Sequence, residues 1–264
     1  MSSIILLIPH FNNIEGLHRS LKSIDESEAI DVLIVDDGSK QSIDIHKLKQ
    51  NHTHINDIFL IHLKENRGIE TALNTGLNWI KSKNYEYIAR LDAGDTCQSN
   101  RFKIQKQYLH EHPNVYLIGT WVNFVDMDDN TLFTLKVPTT HQEIKHKMFF
   151  NNMFIHPSVM FRSCVINNIG LYPHDYPALE DHAYFFDIVK QYQTANIPKA
   201  LINYEMNPES ISNMKRKIQV KSRIKLIKKH FYFGFYPIVG LIRSYILFLF
   251  PRDILTKLKQ IIYK

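Results

Sequence analysis

Cysteine is scarce in this sequence, which has Cys97 and Cys164 among its 264 residues. Two cysteines so far apart form neither a disulfide framework nor the paired ligand spacing of a structural zinc site. Proteins without such cross-links are typical of reducing compartments, so we expect a cytoplasmic location.

A long uninterrupted apolar run is also missing. Residues 231–250 are strongly apolar, but Gly234, Pro237, Gly240 and Arg243 interrupt them. A spanning helix needs about 20 apolar residues, and an arginine at its centre costs several kcal/mol. The first residues lack the basic region and cleavage site of a signal peptide and run directly into the apolar residues 4–8, which favours a core strand. We therefore expect no membrane span.

The charge is divided unevenly along the chain. The net charge is +6, yet residues 210–264 contain 13 Lys or Arg and one acidic residue, Asp253. The first 209 residues contain 25 acidic and 19 basic residues and are mildly acidic. A basic segment of this kind indicates an anionic partner, either nucleic acid or an anionic membrane surface.

Apolar residues recur at helical spacing within the basic segment. The predicted stripes are Ile218, Ile224, Ile227 and Phe231, followed by Ile254, Leu255, Leu258, Ile261 and Ile262. Basic amphipathic helices with aromatic residues lie in the headgroup layer of membranes, whereas nucleic-acid binding needs aromatics on a basic face. We therefore expect residues 213–264 to form a basic amphipathic helical tail, peripheral on the inner face of the cell membrane, that binds no nucleic acid. The alternative is that the stripes pack on the core.

The first hundred residues alternate strand-like and helix-like segments. Apolar runs at residues 4–8, 31–35, 58–63 and 85–91 predict strands, and helical spacing over 14–24 and 69–80 predicts helices between them. This order predicts an α/β fold with a Rossmann-like, mostly parallel sheet flanked by helices. Further helices are predicted at 101–110, 142–150 and 180–192, and further strands at 115–125 and 156–161.

Polar residues follow three of the predicted strands directly, namely His10, the pair Asp36 and Asp37, and Asp92. Ligands of parallel sheets bind outside the carboxyl ends of the strands. Carboxylates gathered there repel one another unless a cation or hydrogen-bond donors offset their charge. A divalent cation bridging to phosphate groups is one such arrangement, so this edge is the predicted site.

Five motifs occur in order along the chain. They are Ile8-Pro9-His10-Phe11-Asn12, Val35-Asp36-Asp37-Gly38-Ser39, Asn66-Arg67-Gly68 with Asn74-Thr75-Gly76, Arg90-Leu91-Asp92-Ala93-Gly94-Asp95, and Glu180-Asp181. Together they resemble the inverting glycosyltransferases of family 2, which have the GT-A fold, over roughly residues 3–212. A single motif such as Asp-Asp-Gly-Ser is also an ordinary turn, but five in register are specific.

The resemblance implies a GT-A domain over residues 1–212, with a nucleotide-binding half at 1–100 and an acceptor-binding half at 101–212. It implies transfer of a sugar from a nucleotide-sugar, in particular a UDP-sugar, to a hydroxyl of a glycan or lipid-linked acceptor in bacterial surface-polysaccharide synthesis. The donor-binding residues that it assigns are Pro9, Phe11, Asp37, Arg67 and Asp92. Phe11 offers an apolar face to the base, the Asp37 carboxylate accepts hydrogen bonds from uracil or ribose, and the Arg67 guanidinium suits the diphosphate.

Asp92 and Asp95 are the cation ligands that the resemblance implies, for Mn²⁺ or Mg²⁺. Family members commonly carry a carboxylate where this chain has Gly94, so the usual second ligand of the motif is absent. We expect either that Asp95 supplies the second carboxylate or that diphosphate oxygens and water hold the cation beside Asp92.

Asp181 resembles the family's catalytic base. In an inverting transfer, one carboxylate takes the proton of the acceptor hydroxyl while the hydroxyl oxygen attacks the anomeric carbon. Glu180 and His156 resemble residues on the acceptor side. Considered without the resemblance, Glu180 and Asp181 are equally explained as acidic residues at a helix N-terminus, and a single histidine is more often structural.

Two other functions fit parts of the sequence. A nucleotidyltransferase also uses strand-end carboxylates and a divalent cation, but it needs a glycine-rich phosphate loop near the N-terminus, which residues 8–12 do not provide. A catalytically weak relative would bind the nucleotide-sugar without transferring it, and Gly94 is the feature that suggests this. The presence of Asp37, Asp92 and Asp181 together favours the enzyme.

Overall fold

The computed structural model describes residues 2–25, 27–205 and 216–250. Its strands are β1 (Ile4–His10), β2 (Ile30–Asp36), β3 (Asp57–His62), β4 (Tyr87–Arg90), β5 (Thr96–Cys97), β6 (Val115–Val125), β7 (Thr131–Leu135), β8 (Met160–Arg162) and β9 (Gln193–Glu205). Its α-helices are α1 (Ile14–Lys22), α2 (Ile45–Asn51), α3 (Ile69–Lys81), α4 (Arg101–Glu111), α5 (His141–Lys147), α6 (Val165–Ile169), α7 (Glu180–Gln191), α8 (Arg216–Lys229) and α9 (Phe235–Leu249).

In the described part of the chain, the strands join one sheet in the order β3-β2-β1-β4-β8-β6-β9-β5, and β7 pairs with β6. The pairs β3–β2, β2–β1 and β1–β4 are parallel, as the alternating sequence predicts. Beyond β4 the sheet is mixed, because β8 is antiparallel to both β4 and β6 whereas β6 and β9 are parallel. The α/β class is confirmed, and the parallel first half gathers its strand ends at one edge.

The central strand β1 is buried on both faces of the sheet. Ile5 and Leu7 pack into a core layer with α3 and α7, while Ile4, Leu6 and Ile8 pack into the opposite layer with α1 and α4. All five side chains are 0% exposed. Full burial of such a side chain is worth about 1.5–3 kcal/mol, so β1 is a rigid base for the residues that follow it.

Two residues of the Asn74-Thr75-Gly76 motif hold α3 in place. A Cβ on Gly76 would lie 2.4 Å from Cδ1 of Leu7, so α3 reaches this close to β1 only with a glycine there. The Asn74 amide donates to the Tyr172 carbonyl at 2.9 Å and accepts from the Tyr172 N–H at 2.8 Å. The motif therefore fastens α3 to the sheet on one side and to the segment before α7 on the other.

The elements predicted for the first hundred residues are confirmed. Elsewhere the structure differs from prediction or adds elements that were not predicted, including β5, β7 and α6. The predicted strand at 156–161 begins with a 3-10 turn (His156–Ser158) and shortens to β8, since Pro157 has no N–H for a strand ladder. β9 was not predicted, and its Pro198 argues against a central strand. The structure accommodates Pro198 at the point where the register between β6 and β9 shifts. α2 was also missed, although Asp44 accepts from the His46 and Lys47 N–H groups, each at 3.0 Å, and so caps it.

The helix α8 buries a different face from the one predicted. The sequence analysis expected a stripe of Ile218, Ile224, Ile227 and Phe231. Of this stripe, Ile227 is buried, whereas Ile218 and Phe231 are 47% and 37% exposed, so the stripe as a whole does not pack on the core. The buried residues of α8 are Val220, Ser222, Arg223, Leu226 and Ile227. Hydrophobic periodicity missed this face because two of its members are polar.

The helix α9 packs against the segment that follows α5. A Cβ on Gly240 would lie 2.5 Å from the Phe149 carbonyl oxygen, and Arg243 Nη1 donates to the Phe150 carbonyl at 2.7 Å. Arg243 is thus bound to protein. Among the described residues, none of the helices has the length and apolar character needed to cross a membrane. The predicted stripe from Ile254 to Ile262 lies outside the described residues, and the division of a tail from the enzyme domain at residue 213 stays a prediction.

Candidate active site

Asp36, at the end of β2, is buried and accepts hydrogen bonds from residues at the ends of β1 and β3 and in the turn after β2. Its Oδ1 accepts from His10 Nδ1 at 2.9 Å and from the Ser39 hydroxyl, and its Oδ2 accepts from His62 Nδ1 at 2.6 Å. Because the Asn13 N–H donates to His10 Nε2 at 3.2 Å, the proton of His10 lies on Nδ1. Burial alone would raise the pKa of Asp36, but the hydrogen bonds from Ser39, His10 and His62 lower it below its ordinary value. The ionised Asp36 therefore holds the ends of β1, β2 and β3 together at the strand-end edge of the sheet.

Asp37 fixes the loop that carries Arg67. Its two oxygens accept the Arg67 and Gly68 N–H groups, each at 2.9 Å, and only 4% of the residue is exposed. A Cβ on Gly38 would lie 2.4 Å from the backbone of Glu65, so the turn after Asp37 and this loop touch directly. The carboxylate predicted to bind the nucleotide thus also holds the Arg67 loop against the end of β2.

The predicted donor-binding residues surround this junction. Pro9 is half-buried within β1, Phe11 is 46% exposed, and the Arg67 side chain is exposed. The loop after β1 is fastened to the loop after β2, since the Lys40 N–H donates to Asn12 Oδ1 at 2.9 Å. Phe11, Asp37 and Arg67 therefore lie on loops tied to one another at one edge of the sheet, with an aromatic ring and a guanidinium free at the surface.

Arg90 is a functional residue that the sequence analysis missed. It is 0% exposed, and its Nη2 donates to Asp92 Oδ1 at 2.6 Å. Its Nη1 donates to the carbonyls of Leu7 at 3.2 Å and Leu91 at 3.1 Å, which fixes the guanidinium. The Asp92 side chain is 34% exposed, so the carboxylate side of the ion pair reaches the surface at the end of β4; the surface between this strand end and the start of α7 is called the cleft below. Arg90 lies in a buried strand, so the one sign of it in the sequence was a charged residue within an apolar run.

Asp95 lies deeper than Asp92. It is 5% exposed, its Oδ1 accepts the Glu205 N–H at 3.1 Å, and its buried Oδ2 has no partner in the described part of the chain. Burial and then the charge of Asp92 raise the pKa of Asp95 well above its ordinary value. Gly94 between them has φ of 115°, a backbone conformation that side-chain-bearing residues rarely adopt.

The described residues contain no group of three or more His, Cys, Asp or Glu side chains placed to hold a metal ion. Asp92 and Asp95 interact electrostatically, and the unpaired Oδ2 of Asp95 is a carboxylate oxygen of the kind that Mg²⁺ and Mn²⁺ bind. These two carboxylates are chemically suitable ligands, and a cation bound beside them would take its remaining ligands from diphosphate and water. They do not fit a cage made wholly of protein.

Glu180 and Asp181 begin α7. Asp181 Oδ2 accepts from the Asn152 amide at 2.9 Å and its Oδ1 accepts the His182 N–H at 2.6 Å. Burial raises the pKa of Asp181, although these two hydrogen bonds partly oppose the rise. Burial and the adjacent Asp181 charge raise the pKa of Glu180 to about 8, and its buried Oε2 has no partner among the described residues. The pair is thus one hydrogen-bonded carboxylate beside one that holds its proton at neutral pH.

The cleft brings together carboxylates that are far apart in the sequence. The charge of Asp92 raises the pKa of Asp181 and of Glu180. Burial, followed by the charges of Asp92, Asp95 and Asp181, raises the pKa of Tyr204 on β9. The carboxylates at the end of β4 and at the start of α7 are therefore close enough to interact electrostatically, and both also act on Tyr204. The sequence analysis expected the strand ends to converge but did not single out Tyr204.

His156 lies behind the cleft. Its Nε2 accepts from Arg90 Nε at 3.3 Å and from the Tyr172 hydroxyl at 3.0 Å. Burial and the Arg90 charge hold the pKa of His156 well below its ordinary value, so the ring is neutral. The histidine supports Arg90 and thereby Asp92. Its predicted role toward the acceptor stays a prediction.

The sequence matches the profile of the family described as Glycosyl transferase family 2 over residues 5–169. It is 25% identical to the amylovoran biosynthesis glycosyltransferase AmsE of Erwinia amylovora, over 86% of this chain and 85% of that one. It is also 25% identical to the UDP-Gal:alpha-D-GlcNAc-diphosphoundecaprenol beta-1,3-galactosyltransferase of Escherichia coli, over 94% and 90%.

The fold is similar to that of solved glycosyltransferases. Residues 1–349 of S. aureus TarS superpose with a TM-score of 0.66 and 14% identity, covering 94% of this chain and 71% of that one. The mannosyltransferase PcManGT of Pyrobaculum calidifontis, solved with GDP-Man and Mn²⁺, superposes with a TM-score of 0.63 and 15% identity, covering 92% and 68%. These likenesses confirm the expected GT-A fold.

Proposed function

Because the chain belongs to glycosyl transferase family 2, we propose that it is an inverting glycosyltransferase that uses a nucleotide-sugar donor. The acceptor we propose is a hydroxyl of a glycan or lipid-linked sugar in surface-polysaccharide synthesis. The names of the two bacterial relatives support this choice, since one acts in amylovoran biosynthesis and the other on a diphosphoundecaprenol-linked sugar. A UDP-sugar donor is supported by the UDP-Gal named for the E. coli relative and by a TarS structure with UDP-GlcNAc.

The observation that carries the proposal is the electrostatic interaction of Asp92 at the end of β4 with Asp181 at the start of α7, on a sheet whose neighbouring strand ends carry Phe11 and the Arg67 loop. A donor bound with its base at Phe11 and its diphosphate toward Arg67 directs the sugar toward the end of β4. We propose that Asp181 lies on the far side of the sugar from the leaving diphosphate. An inverting displacement requires this opposed placement of base and leaving group.

In the reaction, the acceptor oxygen forms a bond to the anomeric carbon while the bond from that carbon to the β-phosphate oxygen breaks. The nucleoside diphosphate leaves with the electron pair, and Asp181 takes the proton of the acceptor hydroxyl. The raised pKa of Asp181 makes it a stronger base than an ordinary aspartate. The hydrogen bonds from Asn152 and the His182 N–H aim the carboxylate and keep its ionised form accessible.

A divalent cation fits beside Asp92 and Asp95, which would hold it in this proposal. When bound, it would neutralise charge on the leaving diphosphate. Arg67, exposed at the edge, contributes a fixed positive charge to the same end.

A panel of nucleotide-sugars, assayed for nucleotide release with Mn²⁺, Mg²⁺ or a chelator, tests the activity. Asp181→Asn should abolish transfer and leave nucleotide affinity within about twofold, because the base does not touch the nucleotide. Asp128→Asn, at an exposed position in the turn between β6 and β7, serves as the control and should retain activity. Equal loss of transfer and of nucleotide affinity in Asp181→Asn would contradict the assignment of the base.

We also place the enzyme on the inner face of the cell membrane, held peripherally by α9 and the loop before it. The exposed apolar side chains of this surface include Phe233 (95% exposed), Phe235 (70%), Ile242 (55%) and Leu249 (69%). An exposed patch of this kind is rare unless it meets lipid or protein. Lys217, Lys221 and Lys228 are exposed on the adjacent α8, so the surface combines apolar and basic groups. That combination suits an anionic bilayer.

Flotation with vesicles of anionic and of neutral lipid tests this placement. The double variant Phe233→Ser with Leu249→Ser should lose binding to anionic vesicles, and added salt should weaken binding of the native chain. Met127→Ser is the matched control, since Met127 is 83% exposed in the turn between β6 and β7. Equal binding by all three chains would rule out this surface as the contact.

A further inference from the structure

The helix α8 donates hydrogen bonds to the chain segment that leads into the catalytic pair. Gln219 Nε2 donates to the Ala178 carbonyl at 3.2 Å, and the Ser222 hydroxyl donates to the Pro177 carbonyl at 3.0 Å. Lys225 Nζ donates to the Asp175 carbonyl at 3.1 Å. The donors are three residues apart on the helix, and their acceptors follow one another along residues 175–178.

This segment adopts a conformation that it would not hold unaided. Ala178 has φ of 59°, in the left-handed region that residues other than glycine avoid. Such a residue persists when its surroundings fix it, and Gln219 bonds to its carbonyl oxygen. The next residue, Leu179, caps α7 without a side-chain hydrogen bond, and Glu180 and Asp181 follow. The direction in which α7 starts therefore depends on the backbone that α8 holds.

The helix that supplies these donors is itself fixed to the protein body. Leu226 and Ile227 are 0% exposed and belong to the same core layer as α7. At its start, Arg216 Nη2 donates to the Leu247 carbonyl of α9 at 3.2 Å. Its hydrogen bonds to the segment lie at the α7 side of the cleft, whereas Asp37 and Arg67 belong to loops at the strand-end side. A change in these donors should therefore alter the base and leave the nucleotide contacts intact.

We propose that Gln219, Ser222 and Lys225 are positioning residues that hold residues 175–178 so that Asp181 points at the acceptor hydroxyl. The proposal rests on the proposed role of Asp181 as the base. It makes α8, which the charge pattern assigns to a membrane-binding tail, part of the catalytic framework.

The test compares the full-length chain with the double variant Gln219→Met with Ser222→Ala. Lys47→Ala, at an exposed position of α2 that has no assigned role, is the control. With the nucleotide-sugar that the panel identifies, the double variant should lose at least tenfold in kcat while the KM for the donor stays within about twofold. Ser222→Thr, which keeps the hydroxyl, should stay within about threefold of the native kcat. Unchanged kcat in the double variant, or an equal change in kcat and donor KM, would overturn the proposal.

A second measurement does not depend on turnover. Hydrogen exchange at the His182 and Ala183 amides, which bond to Asp181 Oδ1 and to the Leu179 carbonyl, should accelerate at least tenfold in the double variant and not in Lys47→Ala. Ser222→Ala alone is measured in the same way if the double variant does not fold. Unchanged exchange refutes the positioning role. If instead Asp181→Asn still transfers sugar, the proposed base is wrong, and this exchange result still decides whether α8 holds the segment.

Discussion

Replacing Glu180 with glutamine should stabilise the protein, and the gain should grow with pH. Glu180 is largely buried, its Oε2 has no hydrogen-bond partner among the described residues, and burial together with the Asp181 charge raises its pKa from an ordinary 4.5 to about 8. Glutamine has nearly the same shape and cannot ionise. The substitution therefore removes the cost of a buried negative charge and little else.

The magnitude follows from the pKa. Between pH 4.5 and about 8 the folded chain retains a proton on Glu180 that the unfolded chain releases, so the free energy of unfolding falls as pH rises, by about 1.4 kcal/mol for each pH unit. Over the whole interval the loss reaches about 5 kcal/mol, and because Asp181 shares the same environment we expect about 3–5 kcal/mol. Below pH 4.5 both states are protonated and the contribution vanishes.

Urea unfolding at pH 5 and at pH 8.5 measures the difference. Glu180→Gln should exceed the native free energy of unfolding by less than about 1 kcal/mol at pH 5 and by about 3–5 kcal/mol at pH 8.5. Glu111→Gln, at an exposed position on α4, should show no such dependence on pH. An equal difference at both pH values would refute the reasoning, because it would mean that Glu180 does not titrate differently in the two states. Since glutamine imitates the protonated residue, kcat at pH 7 should stay within about threefold of native.

Three further substitutions test separate parts of the cleft. Asn152→Ala removes a hydrogen bond to the ionised Asp181, so the acid limb of the kcat profile should move up by about 1–2 pH units; an unmoved limb would mean that the amide does not act on the base. Arg90→Met removes a buried guanidinium and its hydrogen bonds to the partly exposed Asp92 and to two carbonyls, and should lower the free energy of unfolding by about 1.5–3 kcal/mol; a loss below about 1 kcal/mol in urea would contradict this role. Gly94→Ala has room for the methyl group, with the nearest atom at 3.6 Å, but φ of 115° should cost about 1–2 kcal/mol of stability. If Gly94→Ala unfolds at the same temperature as the native chain, the expected backbone strain at this position is absent.

The sequence predicts the strand-end edge of the site well, because the carboxyl ends of parallel strands lie next to one another at one edge of the sheet. His10, Asp37 and Asp92 each follow a buried apolar run, so their convergence needs only the topology rule for parallel sheets. The distinction between Asp36 and Asp37 was not predictable in this way. The two carboxylates are adjacent, yet Asp36 binds two histidines from within and Asp37 binds the Arg67 loop.

The rest of the candidate site was less predictable because it depends on contacts that leave no periodic signal. Arg90 lies inside an apolar strand and interacts with Asp92 through a side chain that is 0% exposed. Tyr172 and Tyr204 approach the cleft from a loop and from β9, a strand that Pro198 concealed. The pairing of Asn74 with the Tyr172 backbone spans 98 residues, and no local pattern predicts such a contact.

The helices α8 and α9 show why the charge pattern of the sequence did not distinguish a membrane-binding segment from one that positions catalytic residues. α8 directs Ser222 inward to the Pro177 carbonyl, while the loop before α9 leaves Phe233 95% exposed. Because Arg216 links α8 to α9, deletion of both helices would remove the proposed positioning contacts together with the proposed lipid-binding surface. A loss of activity in such a truncated chain would therefore not demonstrate that catalysis needs a membrane. Substitutions confined to Phe233 and Leu249 separate the two effects, since neither residue contacts residues 175–178 through the hydrogen bonds that α8 supplies.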